Sequence, residues 1–313
     1  MLERSSEAVN GAVMPPAKFL VTGLHGMMGA HLQSSYGKQC DLVAMDISGG
    51  VDVTDPAQVE AVFKKHPDAV ALIHLAAYTD VSGASRQEGD ESGSCYRLNV
   101  TGTENVAVSA QRHGVHLVHV STDFVFDGEK QEAYSEEDAP NPIEWYGMTK
   151  FLAEEVVRNS GVSATIVRTA FPYFCKDVAK KDIVSRIRAS LAMGESLKLF
   201  DDQIITPTFG QDIISALYLM ATKRPAGEIF HVTGSTSLSP YRLGVEVAEA
   251  FGLNAGNLEA SSMVDFLKVD PRPRQRCLRI AIGKYGEFAE AQGRARPLTV
   301  KEGLRRLRDA KEE

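Results

Sequence analysis

Tyr146 and Lys150 stand four residues apart in Tyr146-Gly-Met-Thr-Lys150, the separation that stacks two side chains on one face of a helix. A free phenol has a pKa of about 10 and is a poor acid or base at neutral pH. An ammonium one turn away stabilises the phenolate and draws that value toward the working range. Such a pair is also a frequent accident of surface helices, so the spacing alone leaves both readings open. A third residue separates them. Thr122 ends an apolar segment 24 residues earlier, where its hydroxyl can bond the same carbonyl oxygen that Tyr146 protonates.

Thr22-Gly23-Leu24-His25-Gly26-Met27-Met28-Gly29 lies between KFLVTG, which has the pattern of a strand, and MMGAHLQSSYG, which has that of a helix. Three glycines at this spacing allow a tight turn, the approach of a pyrophosphate to backbone N–H groups, and close packing of helix on strand. Glycine-rich turns are common between strand and helix, but here Asp46 closes the next strand, 23 residues after Gly23. A carboxylate at that point hydrogen-bonds an adenosine ribose diol and repels a 2′-phosphate; no arginine follows it, so NAD(H) is favoured over NADP(H). The alternative is an aspartate capping its own turn. Asp52 likewise faces an adenine amino group in one reading and belongs to a turn in the other. Ala76 and Ala77 end the third strand, where a larger side chain would collide with a dinucleotide. His25, Met27, Met28, Val53 and Tyr78 complete the expected cofactor-binding set, together with Tyr146 and Lys150.

These residues need a scaffold, and the alternation of apolar runs with amphipathic stretches supplies one. LVAMDI, AVALIHLAA, VHLVHVST and SATIVRT read as further strands. PAQVEAVFKKH, YRLNVTGTENVAVSAQRHG and NPIEWYGMTKFLAEEVVRNSG read as the helices between them. The pattern indicates an α/β fold, a Rossmann-type doubly wound parallel sheet covered on both faces. Beyond Ala170 the rhythm breaks into a smaller, discontinuous α/β substrate domain. The expected division is a tail at 1–16, a dinucleotide-binding domain at 17–170 to which 205–235 returns, and a substrate domain at 171–204 and 236–313. Thr299 with Glu302 forms a capping box before a last helix, in which Val300, Leu304 and Leu307 share one face.

At 313 residues the chain is long enough for about two domains of ~150 residues. Lys and Arg number 34 against 41 Asp and Glu, a net charge of −7, which argues against a nucleic-acid partner. Cys40, Cys95, Cys175 and Cys277 are isolated, with neither a disulfide framework nor metal-ligand spacing, so no metal is expected and a cytoplasmic location fits. His116 and His119, on opposite sides of one strand, read as packing or surface residues. No apolar run has the length of a signal peptide core or a membrane span, and no membrane partner is expected.

The glycine loop, HLAAYTDV, LNVTGTENVA, VSTDFVFDG and WYGMTKFLAE together resemble the extended short-chain dehydrogenase/reductases. More narrowly, STDFVFDG, Val167-Arg168-Thr169, Asp202-Gln203 with Pro207-Thr208, and Arg272-Pro273 are similar to the dTDP-4-dehydrorhamnose reductases, over about residues 17–308. The resemblance implies a catalytic trio of Thr122, Tyr146 and Lys150, and a supporting Asn99 for a water relay to the lysine; a buried asparagine bonded to backbone is the other reading of Asn99. It also implies a nucleotide diphosphate sugar as substrate, with Thr122, Asp123, Phe124, Phe171, Gln203, Arg272 and Arg276 as contacts. Four arginines lie between Arg272 and Arg279, and guanidinium forks suit a diphosphate; the competing reading is a basic loop paired with nearby acids.

Related 4,6-dehydratases carry a glutamate where this chain has Phe124, and a phenyl ring cannot act as a second acid/base. NAD(P)H-dependent reduction of a 4-keto group is therefore the expected reaction. Ile205, Ala170 and Phe171 depart from the family pattern, where glycine, serine and tryptophan stand, and the loop at 82–96 is longer than usual. The alternatives are an NDP-sugar epimerase or dehydratase, and a non-catalytic dinucleotide-binding regulatory subunit. A homodimer is the assembly to test.

Overall fold

A computed structural model describes residues 16–174 and 182–310. The tail expected at 1–16 and Cys175 lie outside these residues, Pro16 excepted. Six parallel strands form the central sheet in the order β2 (Asp41–Met45), β1 (Lys18–Thr22), β3 (Ala69–His74), β4 (His116–Thr122), β5 (Ala164–Thr169) and β9 (Glu228–His231). Their near-continuous apolar composition follows from burial on both faces: Leu20, Leu72 and Leu117 face one layer, Val21, Ile73 and Val118 the other. The strand order reverses between β1 and β3. Open α/β sheets bind ligands at such a switch point, outside the carboxyl ends of the strands.

On one face lie α2 (Pro56–Lys65), a long helical segment at 94–113 and α6 (Trp145–Asn159). On the other lie α1 (Met27–Tyr36), α8 (Gly210–Lys223) and α11 (Gly283–Ala291). The segment at 94–113 is not one regular helix: Ser94–Tyr96 leads into a π-turn at Arg97–Thr101 before an α-helix at Gly102–His113. Helix α6 begins at Trp145 rather than at Asn141, because Pro140 and Pro142 hold the preceding residues extended and Glu144 caps the helix start.

A second core gathers α7 (Ile183–Ala192), α9 (Pro240–Phe251) and α12 (Val300–Asp309). Two short strands, β7 (Leu197–Phe200) and β10 (Leu258–Ser261), pair in parallel beside it. The capping box of α12 forms as the sequence predicts, and Val300, Leu304 and Leu307 are its buried face. Within 236–313, α11 packs instead on the sheet, through Tyr285 and Ala289.

Candidate active site

The glycine turn is built as its composition requires. Gly23 has φ +72°, and a Cβ there would lie 3.0 Å from Ala76 N at the end of β3. A Cβ on Gly29 would be driven into the Leu24 and Gly23 backbone, so α1 packs directly on the loop. Gly26 is the N-cap of α1 and no side chain caps that helix. Its first amides, at Met27 and Met28, therefore keep the unpaired donors and positive dipole end that attract a phosphate. These features fit a dinucleotide pyrophosphate, and the fit is made by backbone.

Asp46 is buried and accepts from Leu24 N and His25 N, each at 3.0 Å, while His25 Nδ1 pairs with its Oδ2. Both oxygens thus fasten the glycine turn to the end of β2, and the Asp46 side chain does not cap its own turn at Ile47–Gly49. Asp52 Oδ1 accepts from Thr54 N and Thr54 Oγ1 (2.9 and 2.8 Å), a turn aspartate. Val53 is buried against Gly102. Thr22 Oγ1 accepts from Leu75 N and Ala76 N (3.1 and 3.0 Å) and must then donate to His74 Nδ1, 2.7 Å away. His74 is left with its proton on Nε2, which donates to Thr103 Oγ1 at 3.1 Å, and Thr103 donates to Asn99 O at 2.6 Å. Burial keeps this imidazole neutral, its pKa depressed to about 3. One chain of hydrogen bonds therefore joins the glycine turn, the Ala76-Ala77 corner and the π-turn at Asn99.

Asn99 is buried. Its Oδ1 accepts from Tyr78 N at 2.7 Å, and its Nδ2 donates to Thr149 Oγ1 at 2.9 Å. The side chain ties the strand-end segment to α6, as in the backbone-bonded reading. A π-turn inside a helix commonly marks a functional position.

Thr122, Tyr146 and Lys150 come together at the carboxyl end of β4. Lys150 is buried and its Nζ donates to Val120 O at 2.7 Å, two residues before Thr122. Burial lowers this ammonium to about 8, while Glu154, one turn on, pulls it upward. The Tyr146 phenol is held above its ordinary range by burial, opposed by a hydrogen bond with Thr122 and reinforced by Asp123, Glu144 and Cys95. The sequence predicted a lowered phenol. The difference arises because burial disfavours the phenolate, and the neighbouring Asp123 and Glu144 carboxyls add to the rise. A phenol that holds its proton is a proton donor.

Phe124 lies edge-on to Tyr146 and 5.9 Å from Phe171, so its ring contacts both. Phe171 has φ +40°, a left-handed conformation that costs strain in a residue with a Cβ. Gln203 Nε2 donates to Gln275 O at 2.9 Å. Arg272 and Arg274 both bond Asp270, so the acid-paired reading of this basic loop holds for those two, whereas Arg276 is exposed. His116 and His119 are both buried; His116 bonds Ser163 and Thr165, and His119 sits 5.5 Å from the His74 ring.

Two residues of the site escaped the sequence analysis. Glu144 caps α6 through Tyr146 N and Gly147 N (2.9 and 2.6 Å), and burial pushes its carboxyl up to about 7. Its signal was an acid two positions before Tyr146. Cys95 is buried 3.5 Å from Thr149 Oγ1. Among the described residues no group of histidine, cysteine and acidic side chains is arranged to hold a metal ion, and no helix is long and apolar enough to cross a membrane.

Comparison with known proteins agrees with this geometry. Residues 17–292 match the family model described as the RmlD substrate binding domain. The dTDP-4-dehydrorhamnose reductase of Mycobacterium tuberculosis is 32% identical over 260 residues, covering 82% of each chain. The solved dTDP-4-dehydrorhamnose reductase of Bacillus anthracis, in complex with NADP, superposes with a TM-score of 0.83 at 26% identity, over 94% of this chain and 99% of that one. The UDP-glucose 4-epimerase of Thermus thermophilus, solved with NAD, shares the fold at a TM-score of 0.76 and 19% identity, covering 92% of this chain and 96% of that one. The chain belongs to the RmlD substrate binding domain family, the dTDP-4-dehydrorhamnose reductase branch of the extended short-chain dehydrogenase/reductases.

Proposed function

We propose that the protein reduces the 4-keto group of a nucleotide diphosphate deoxysugar with a reduced nicotinamide dinucleotide. The observation that carries this reading is the convergence of Tyr146, Thr122 and Lys150 at the carboxyl end of β4, in a sheet whose glycine turn leads into a helix start with no side-chain cap. The nicotinamide supplies a hydride to the carbonyl carbon when bound. Tyr146 gives its proton to the carbonyl oxygen, and Thr122 holds that oxygen by a hydrogen bond. Lys150, buried and cationic at neutral pH, would offset the charge left on Tyr146 and would hold the nicotinamide ribose. Asn99, His74 and Thr22 keep the corner between glycine turn and α6 in register.

Gly23, Gly26, Gly29 and the Met27 and Met28 amides would hold the pyrophosphate; His25, Asp46, Asp52 and Val53 would border the adenosine half, and Ala76, Ala77 and Tyr78 the nicotinamide half. Asp46 disfavours a 2′-phosphate by charge, but its oxygens already serve the Leu24 and His25 amides, so both NADH and NADPH are accepted in this proposal. Asp123, Phe124, Phe171, Gln203, Arg272 and Arg276 border the sugar nucleotide.

The absence of a second acid/base at Phe124 favours reduction over water elimination, which would return the cofactor unchanged. A screen of NDP-4-ketosugars with NADH and NADPH side by side tests the reading. Consumption of one reduced nicotinamide per sugar is expected. Tightly held cofactor with no net consumption would point to an epimerase or dehydratase. Cofactor binding without turnover of any such sugar would point to a regulatory subunit.

A further inference from the structure

Thr122 carries a single hydroxyl hydrogen, and its destination decides whether a substrate carbonyl meets one donor or two. The Thr122 oxygen accepts from Phe124 N at 3.3 Å and lies 3.1 Å from Asp123 Oδ1. If Asp123 is ionised it has no hydrogen to give, so the 3.1 Å contact requires the Thr122 hydrogen to point at the carboxylate, and in the hydrogen bond between Thr122 and the Tyr146 phenol it is then the phenol that donates. If Asp123 is neutral the bond can run the other way.

The surroundings of Asp123 favour the neutral form. Its side chain is only 2% exposed, and Oδ2 is buried with no hydrogen-bond partner. The groups around it are Thr122 from β4, Glu144 and Tyr146 from the start of α6, and the Phe124 backbone. Cys95 and Lys150 stand further along the same site, and the Lys150 ammonium is engaged by Val120 O. A buried carboxylate with an unpaired oxygen is costly, whereas a carboxyl can place its proton on Oδ1, where Thr122 accepts it. Burial raises the group to about 7, with Glu144 adding to the rise and hydrogen bonds from Thr122 and the backbone opposing it.

We propose that the proton on Asp123 sets the direction in which Thr122 donates. The neutral carboxyl gives its O–H to Thr122 and frees the Thr122 hydrogen for the substrate oxygen; the carboxylate draws that hydrogen to itself. Asp123 then touches neither the reacting carbonyl nor the cofactor and is a positioning residue acting through Thr122. The inference rests on the reductase reading above.

The test is the pH profile of kcat/KM over about two units on each side of neutrality, with wild type, D123N, E144Q and T122V. Wild type should lose activity as pH rises through about 7, by about a hundredfold, the effect of removing one preorganised donor from a developing oxyanion. In D123N the carboxamide donates to Thr122 at every pH, so the step near 7 should vanish, leaving only the fall near 8 that Lys150 produces as its ammonium loses its proton. T122V should lack the step too. E144Q should keep it, which excludes the other carboxyl titrating in the same range. An infrared titration of substrate-free protein supplies a readout independent of turnover: of the protonated-carboxyl bands that disappear near neutrality in wild type, one is missing from D123N and kept in E144Q. A step near 7 that persists in D123N, or a wild-type band that titrates in the ordinary carboxylate range, overturns the proposal. A wild type that turns over but has no step near 7 overturns it as well. A wild type that turns over no ketosugar at any pH rejects the reductase reading, and the infrared titration then decides the state of Asp123 by itself.

Discussion

Substituting Glu154 by Gln should unfold the protein's active face more readily than any surface change. Glu154 and Arg168 form a bidentate pair between α6 and β5, Nε to Oε1 at 2.9 Å and Nη2 to Oε2 at 2.6 Å, with side chains 0% and 2% exposed. A hydrogen bond to a charged group contributes ~1.5–3 kcal/mol, and removing one partner of a buried pair costs ~3–5 kcal/mol, because the other charge stays buried. Arg168 is poorly placed to recover: its Nη1 already lacks a partner, and the Phe126 ring lies 5.1 Å from its guanidinium carbon. A loss of about 4 kcal/mol is therefore expected for E154Q. Urea unfolding followed by circular dichroism measures it. Replacing both partners by apolar residues, E154L with R168M, should recover most of the loss, since no lone charge remains. There is a functional consequence. Glu154 raises the Lys150 ammonium that burial lowers to about 8, so E154Q should move the alkaline fall in activity to lower pH. A cost below about 1 kcal/mol, or a double variant no more stable than the single one, would refute the reasoning.

Further consequences can be checked one by one. G29A should weaken dinucleotide binding at least about tenfold by calorimetry, because its Cβ would be driven into the Leu24 backbone; G49A, with nothing within 4 Å of its Cβ, should not. D270N should release Arg272 and Arg274 and lower the KM for the sugar nucleotide in a salt-sensitive way; an unchanged KM would remove both from the diphosphate site. Asp123 has its folded pKa raised from 3.8 to about 7, so it binds more protons folded than unfolded, and stability declines as pH rises between those values. Relative to wild type, D123N should therefore gain up to about 4 kcal/mol between acid and alkaline conditions, three units at about 1.36 kcal/mol each. Parallel denaturation at the two pH values measures the difference, and no gain would contradict it.

The glycine turn and the Thr122–Tyr146–Lys150 trio were legible in the sequence because each is a set of residue types at fixed spacing, and the strands and helices that carry them have strong periods. Asp46 was visible as a ribose contact or the cap of its own turn, and its hold on the glycine turn was not, because that depends on how the distant Leu24 and His25 amides fold back onto it. Glu144 sits at a helix boundary, where proline rather than periodicity decides the start, and its burial follows from how α6 docks on β4. The Glu154–Arg168 pair joins two elements whose faces no local pattern relates. Asp270, by contrast, stood in plain view two residues before Arg272, and its charge was the signal that the arginine run had a partner close by.

The proposed reaction is hydride delivery to a carbonyl that Tyr146 protonates. Its most direct test is transfer of deuterium from the nicotinamide C4 of the reduced cofactor to an NDP-4-ketosugar by wild type and Y146F. Wild type should place one deuterium on the sugar C4 for each cofactor oxidised, and Y146F should bind cofactor normally yet transfer none. Label appearing at another carbon, or undiminished transfer by Y146F, would contradict the account.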